Sequence, residues 1–537
     1  MRKLAVIFAA LVVFTASADD FEDIASRYVE LFGTKEEPRA GAVTPDAGGL
    51  FPDIDYASQT QSHWQPGTRH FSRLRQYVAR YLRTRSADDL ELVHRVFLGW
   101  VRKDPVCPNW WWNDIGVPQQ TGWCALALGA ELKDEERDYA VKVAARRELG
   151  ALTGQNRTWL AQMRLVRGLL RRDAAEVEAA VGIISDEVRM APDGAEGIQP
   201  DWCFHQHGHQ PQFGNYGLAF LVLQARMVNL LSGTRFAYPR QKLDVLGSLA
   251  RNGYQWIIWK DRMDVSALAR QLYPHEARTK AAAVNTALGL LGNSGWERKS
   301  DPLGFRYFDR SAYAVWRTDG WMASVRASTP SVVGVETWIN EDNAKGMCMA
   351  DGALFVYSTG REYEDVFPLW DDWRMIPGVT GYLGKPLTRK DSRNEADDIS
   401  GSSSPTGGVL ELTFRREGLS VHKKWTFDAG GVLCEGSGIR AEDAGYEVAT
   451  CVEHALADRP AKLMEAPDRS VFRNGAFTYT VYAPPAAIRF STDERSGDFK
   501  DHMMAEVSKI VRGKVFSLRI LHGRCPADAA YRYRIDR

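Results

Sequence analysis

The feature that most constrains this chain is a change of hydrophobic period near residue 300. Before it, apolar residues recur at helical spacing. Val93, Val96, Phe97, Trp100 and Val101 fall at i, i+3, i+4, i+7 and i+8, one stripe along a helix. Leu74, Val78, Tyr81 and Leu82 make a second stripe, and Leu218–Leu231 reads as a third helix closed by Ser232-Gly233. Further helices are expected over 135–149, 157–171, 174–190 and 241–259. After residue 300 the period becomes two. Segments 312–317 and 321–328 flank Asp319-Gly320, and 409–414 and 419–427 flank Arg415-Arg416-Glu417-Gly418. Both read as hairpins, because glycine accepts the positive φ such turns require. Segments 352–357, 476–482 and 515–521 read as further strands, and the Ser-, Gly- and Asp-rich stretch 393–408 as a surface loop. The expected architecture is a helical array followed by an antiparallel β-sandwich.

The N-terminus speaks to the compartment. Arg2 and Lys3 precede an apolar run from Leu4 to Phe14, then Ala16-Ser17-Ala18 and two aspartates. That is the layout of a secretory signal peptide, with cleavage expected after Ala18 and a secreted or periplasmic product. The run is short of the roughly 20 residues that span a bilayer, so no membrane partner is expected. Lys+Arg and Asp+Glu balance at 68 each, which removes the global field that nucleic-acid binding uses. Any recognition of an acidic polymer must then come from a local cleft. The seven cysteines are too few and scattered for a disulfide scaffold, though an oxidising compartment allows one or two bridges.

Three segments of the helical half concentrate polar and aromatic residues. In Asn109-Trp110-Trp111-Trp112-Asn113, three consecutive tryptophans cannot all face one core, since helix neighbours lie about 100° apart. At least one should be exposed. In Gly154-Gln155-Asn156, Asn156 is either a helix cap or a polar group offered to a ligand. In His205-Gln206-His207-Gly208-His209, the alternation would put three histidines on one face of a strand. No CxxC pattern accompanies them, and no metal is expected. Tyr216 follows, just before the third helix.

Taken together, these segments resemble polysaccharide lyase family 8, the hyaluronate, chondroitin and xanthan lyases. The likeness runs through Asn109-Trp110-Trp111, Asn156, and Gln206-His207 followed nine residues later by Tyr216 before Gly217. It continues in order through Asn340–Gly346, Trp370–Thr380, Lys424–Asp428, 436–439 and His522-Gly523, covering about 100 to 535. The resemblance implies an incomplete α/α-toroid (19–295) followed by an antiparallel β-sandwich (296–537), with the family's small C-terminal β-domain absent. It implies β-elimination on a uronate-containing glycan. Asn156 and His207 would neutralise the sugar carboxylate, and Tyr216 would take the C5 proton and pass it to the leaving oxygen. Arg270 would supply the cation that activates the tyrosine, oriented by Glu336 or by Glu341. Asn109, Trp110, Trp111 and Asn340 would bind the sugar chain.

The family's second arginine, four residues after the first, is replaced here by Pro274, and Arg278 or Arg262 could take its place. The chemistry requires no cofactor and leaves room for a structural Ca²⁺. The expected partner is an acidic polysaccharide such as hyaluronate, chondroitin or xanthan, acted on by a monomer. Two other classes compete. A glycoside hydrolase on a similar toroid needs two flanking carboxylates, for which Asp114 and Asp201 are the candidates. A glycan-binding homologue without turnover would keep the cleft alone.

Overall fold

The computed structural model describes residues 18–537 apart from 40, 193, 389–391 and 504–507. Of the expected leader, 1–18, residues 1–17 lie outside the described residues. Eleven helices form the first half among those described: α1 (Ala18–Phe32), α2 (Phe71–Thr84), α3 (Ala87–Lys103), α4 (Val117–Leu128), α5 (Asp134–Ala144), α6 (Gly154–Arg171), α7 (Ala174–Asp186), α8 (Leu218–Leu231), α9 (Arg240–Leu249), the single turn α10 (Gln255–Ile257) and α11 (Glu276–Asn293). The stripe of α3 puts Val93, Val96, Phe97 and Trp100 wholly out of solvent. Helices α2, α4, α6, α8 and α11 pack in succession as an inner layer. Helices α3, α5 and α7 back them, and α1 sits against α4 and α8. This double layer is the α/α-toroid.

Segment 241–259 is not one helix. After α9 the chain widens into a π turn (Ala250–Tyr254), makes α10 and then enters a two-residue strand, Ile258–Trp259. The buried guanidinium of Arg317 receives the carbonyls released there, bonding Trp256 O at 3.1 Å and Ile258 O at 2.6 Å. A break in a helix is tolerated where a side chain takes up the orphaned acceptors.

The second half is antiparallel throughout its three main sheets. An eight-stranded sheet runs in the spatial order Ile399–Ser404, Gly407–Arg416, Leu419–Asp428, Gly431–Ala441, Ala529–Asp536, Phe477–Val481, Arg469–Asn474 and Ala461–Ala466. Two four-stranded sheets complete it. One holds Gly304–Phe308, Tyr313–Arg317, Met322–Arg326 and Ala353–Tyr357; the other holds Ile488–Asp498, Ile510–Arg524, Glu447–Leu456 and Thr380–Tyr382. Their alternate residues, among them Trp316, Trp425, Phe427, Phe516 and Tyr533, meet in one core. Both predicted hairpins form, and in the second Glu417 and Gly418 carry positive φ of 54° and 75°.

The sandwich departs from the sequence reading in one further place. The polar stretch 393–408 is not all loop, because Ile399–Ser404 pairs with Gly407–Leu412 as an edge strand. Its small residues have a packing reason: Tyr307 lies directly over Gly401 and leaves no room for a Cβ. No disulfide forms. All seven cysteines are free, six of them buried as small apolar groups and Cys525 exposed. A large core cluster continues from the helices into the sandwich through Phe308, Tyr313, Tyr357, Trp370 and Trp373. Trp370 and Trp373 are packing residues, stacked among Phe367, His454 and His502.

Candidate active site

A cleft of about 830 Å³ opens over the helical ring, walled mostly by helical-half residues and on one side by Ile339, Asn340 and Asp342 from the sandwich. Its helical wall is built from wide turns. The chain makes π turns at Trp112–Gly116 and Phe213–Gly217, each running directly into the next helix, α4 and α8. Such turns cost backbone hydrogen bonding and recur at functional positions. The second depends on Gly214, where a Cβ would overlap the Ala267 carbonyl. Lys280 of α11 donates to the Gly214 carbonyl, to Gln271 Oε1 at 2.6 Å, and pairs with Glu276 at 3.1 Å.

Tyr216 emerges from that turn, 8% exposed. Its ring lies 4.6 Å from the His207 ring and 5.8 Å from Trp159. The Arg270 guanidinium sits 5.7 Å from the ring centre. Glu336 ties the group together, one oxygen accepting from His207 Nδ1 and the other from Arg270. Asp342 lies 3.7 Å from Arg270 Nε and accepts from Tyr273 at 2.5 Å and Ser62 at 3.2 Å.

The electrostatics follow from this arrangement. Burial pushes the Tyr216 hydroxyl above its ordinary value; the charge and hydrogen bond of Arg270 pull it down, and Glu336 and Glu196 push it up again. Burial wins, so the expected activation by Arg270 is present but outweighed in the free protein. Burial also acts against the Glu336 carboxylate, yet the His207 hydrogen bond and Arg270 charge hold it below the usual carboxylate range. Asp342 is pushed up to about 6 by burial, against the pull of Tyr273 and Arg270.

The His207 loop is held from below. His207 has φ 60°, a left-handed conformation. Glu196 accepts from the His207 backbone at 2.8 Å and Gly208 at 3.2 Å, while its other oxygen takes Thr153 Oγ1 at 2.6 Å. Gln206 accepts from Gln155 N at 2.8 Å and so latches the loop to the first turn of α6. Gly154 is required there, at φ 59° with a Cβ that would overlap Gln206. Thr153, not Asn156, occupies the cap position. Asn156 is 6% exposed with Oδ1 unpartnered, and it lies behind the cleft wall that Trp159 forms one turn later.

Other candidates separate cleanly. Asn109, Trp110, Trp111 and Asn340 all line the cleft, and Trp110 is the most exposed of the three tryptophans. Glu336, not Glu341, carries the bonds to His207 and Arg270. Arg262 is spent on Glu364 at 2.9 Å and on Asp261, and neither it nor Arg278 lines the cleft. The second cation there is Lys280. Asp114 pairs with Arg147 at 3.2 Å, and Asp201 braces Cys203 N, Arg310 N and Ser311; neither lines the cleft, which removes these two as the flanking pair of a hydrolase. His205 and His209 pack edge to face, with His205 bonded to Ser311. The described residues hold no cluster of three metal-ligating side chains.

Comparison with known families decides the lineage. The N-terminal α-helical domain of polysaccharide lyase family 8 matches residues 13–295, and the super-sandwich domain of the same family matches 303–535. The chain belongs to polysaccharide lyase family 8. It is a carbon–oxygen lyase acting on polysaccharides. Chondroitinase-AC of Pedobacter heparinus is 25% identical over 543 residues, covering 93% of this chain and 76% of that protein. A hyaluronate lyase of Thermasporomyces composti is also 25% identical over 628 residues, covering 98% and 77%. Among solved structures, a chondroitinase AC lyase superposes with TM-score 0.84 at 22% identity, covering 96% of this chain and 83% of that one. The Streptomyces coelicolor A3 chondroitin AC lyase gives 0.83 at 19%, covering 97% and 83%.

Several residues of this cleft escaped the sequence reading. Trp159 read as part of an ordinary helix, and Lys280 as one lysine in a long one. Glu196 and Asp342 had no motif of their own. The one usable signal was a Gly at each wide turn, since Gly116, Gly214 and Gly217 all sit where a Cβ would collide.

Proposed function

We propose that the chain cleaves a uronate-containing acidic polysaccharide by β-elimination in the cleft. The carrying observation is that Tyr216, His207 and Arg270 meet on one wall, with Glu336 bonded to both the imidazole and the guanidinium. His207, whose Nδ1 is engaged by Glu336, keeps its other ring nitrogen for the sugar carboxylate. Asn156, three residues before the cleft residue Trp159 on α6, donates its Nδ2 amide to the same carboxylate. Neutralising that carboxylate stabilises the charge that develops when C5 loses its proton.

Tyr216 as phenolate takes the C5 proton, breaking C5–H. The electron pair forms the C4–C5 double bond as the C4–O bond breaks, and the leaving oxygen takes the proton from Tyr216. No oxidant or metal enters the balance. A tyrosine raised by burial is a strong base once ionised and a ready acid once protonated, so one residue serves both steps. Trp110, Trp111 and Asn109 give the sugar chain a flat apolar surface with an amide edge, and Asn340 closes the opposite side. The substrate class is hyaluronate, chondroitin, xanthan or a related polymer, met outside the cytoplasm as the expected leader implies.

The test is absorbance in the near ultraviolet during incubation with a panel of these glycans. A lyase leaves an unsaturated uronate that absorbs there. Chain shortening without that absorbance would sink the proposal.

A further inference from the structure

A second polar cavity lies in the bore of the helical ring, with a volume of about 260 Å³. Trp159, Ala219 and Val222 line both it and the catalytic cleft, so the two spaces share a wall. The wall is one face of α8: Ala219, Val222, Leu223 and Arg226 fall at i, i+3, i+4 and i+7. Ten residues separate Tyr216 from Arg226, ~15 Å along the helix at the usual rise. A polymer leaving the catalytic tyrosine along this face therefore meets Arg226 a few sugar rings away.

Two guanidinium groups stand in this cavity. Arg75 of α2 donates to Gln120 Oε1 at 2.8 Å and to the Phe32 carbonyl, both neutral acceptors. Arg226 lies over the Phe32 ring at 5.0 Å. Burial holds both below the usual arginine value, and the Arg75 charge bears on Arg226 as well. No Asp or Glu lines the cavity among the described residues, although Glu36 lines the space beyond Arg75. The remaining wall carries the ring of Trp159 and Gln119, which donates to Gln162 Oε1 at 3.1 Å and keeps its own carbonyl, while the Trp123 ring is already covered by Arg75 at 4.6 Å. Two half-buried cations lining one cavity without a counter-charge are costly to fold unless an anion is received there. Flat rings beside amides and cations form a surface suited to a charged sugar.

We propose that Arg75 and Arg226 form a distal subsite for an anionic sugar of the polymer, held through its carboxylate or a sulfate ester. This rests on the lyase function proposed above and extends it from the cleaved bond to the length of chain recognised. The competing role is structural, with the two arginines only fastening the end of α1 through Phe32.

Size-defined oligosaccharides, sulfated and unsulfated, separate the two roles. In the wild type KM should fall as the oligosaccharide grows long enough to reach the bore. Arg226→Gln should abolish that length dependence, raising KM for long oligosaccharides tenfold or more, and Arg226→Lys should restore part of it. A purely structural clamp would lower Tm and leave the length dependence in place. An Arg226→Gln protein that melts like the wild type and keeps the length dependence overturns the subsite.

Should the variant fail to fold, the wild type supplies a second measurement. Phenylglyoxal modification of Arg226, mapped by peptide mass, should slow severalfold in the presence of long oligosaccharides and not of short ones. Equal rates overturn the proposal. Protection by both series assigns the carboxylate, and protection by the sulfated series alone assigns the ester. Because labelling needs no turnover, a wild type that forms no unsaturated product would sink the lyase mechanism while the labelling still decides the subsite.

Discussion

The two halves of this lyase bury charge and polarity in different ways. In the sandwich, buried charges are spent on one another or on fixed partners. Asp351 is taken by Arg416, Glu453 by Tyr363 at 3.1 Å and Tyr479 at 2.8 Å, and Lys423 by the carbonyls of Asp351 and Gly378 at 3.2 and 2.7 Å. Around the cleft in the helical half, Asn156 Oδ1, both amide atoms of Gln155 and of Gln212, and Asn215 Nδ2 are buried without a partner. Each such group costs about 1–3 kcal/mol. Satisfied charges specify a scaffold, whereas Asn215, the one of these amides that lines the cleft, keeps its Nδ2 for a ligand. The sandwich departs from its own habit in one loop, where Glu336 and Asp342 reach across to Arg270.

The largest expected effect tests the helical side alone. Tyr216→Phe should lower kcat by about a thousandfold or more, the scale of a lost acid–base group. Oligosaccharide affinity measured by calorimetry should persist, because the ring that packs on His207 remains. Turnover within tenfold of wild type would remove Tyr216 from the chemistry. The next effect crosses the halves. Glu336→Gln should cost on the order of a hundredfold in kcat, and about 3 kcal/mol of stability by leaving buried Arg270 only the more distant Asp342 as counter-charge. Glu341→Gln should change neither. If the two variants behave alike in kinetics and urea melts, the sandwich contributes no specific carboxylate.

A smaller effect belongs to sugar binding. Trp111→Ala should raise KM about tenfold, equivalent to ~1.4 kcal/mol, with kcat nearly preserved. Trp425→Ala in the sandwich core should do the reverse, lowering Tm through a loss of about 3–5 kcal/mol while kcat per folded molecule holds. Steady-state kinetics paired with thermal melts would reveal any mixing of the two roles.

The fold was legible wherever a segment buries one side. The stripes of α2, α3 and α8 and both hairpins follow from period and turn chemistry alone. The edge strand Ile399–Ser404 was not, because its small polar residues answer to Tyr307, a neighbour far away in sequence. Within the site, Tyr216, His207 and the tryptophans announced themselves by crowding polar and aromatic groups where a core helix would not. Lys280 and Asp342 could not, since a lysine on a helix and an aspartate in an Asn-rich loop carry meaning only once folding sets them beside Gly214 and Arg270.

The smallest effects concern two carboxyl groups that burial raises by the same physics, one in each setting. Glu453 is pushed up to about 7 inside the sandwich, and Asp342 to about 6 at the cleft. Both lie above their unfolded values, so the native state holds their protons more tightly. Their contribution to stability is therefore full below the unfolded value, near 4, and is lost as pH rises through about 7 and about 6. Glu453→Gln and Asp342→Asn should each flatten the decline of Tm between pH 5 and 8. Only Asp342 should also mark the kinetics. Ionised above about pH 6, it competes with Tyr216 for the field of Arg270. The wild-type log kcat/KM should then bend near pH 6 on its way up with ionisation of the tyrosine, and Asp342→Asn should remove the bend and gain a few-fold at pH 7. A bend that survives in Asp342→Asn, or one that disappears in Glu453→Gln, would show that the cleft edge and the sandwich interior do not divide catalysis and scaffolding in this way.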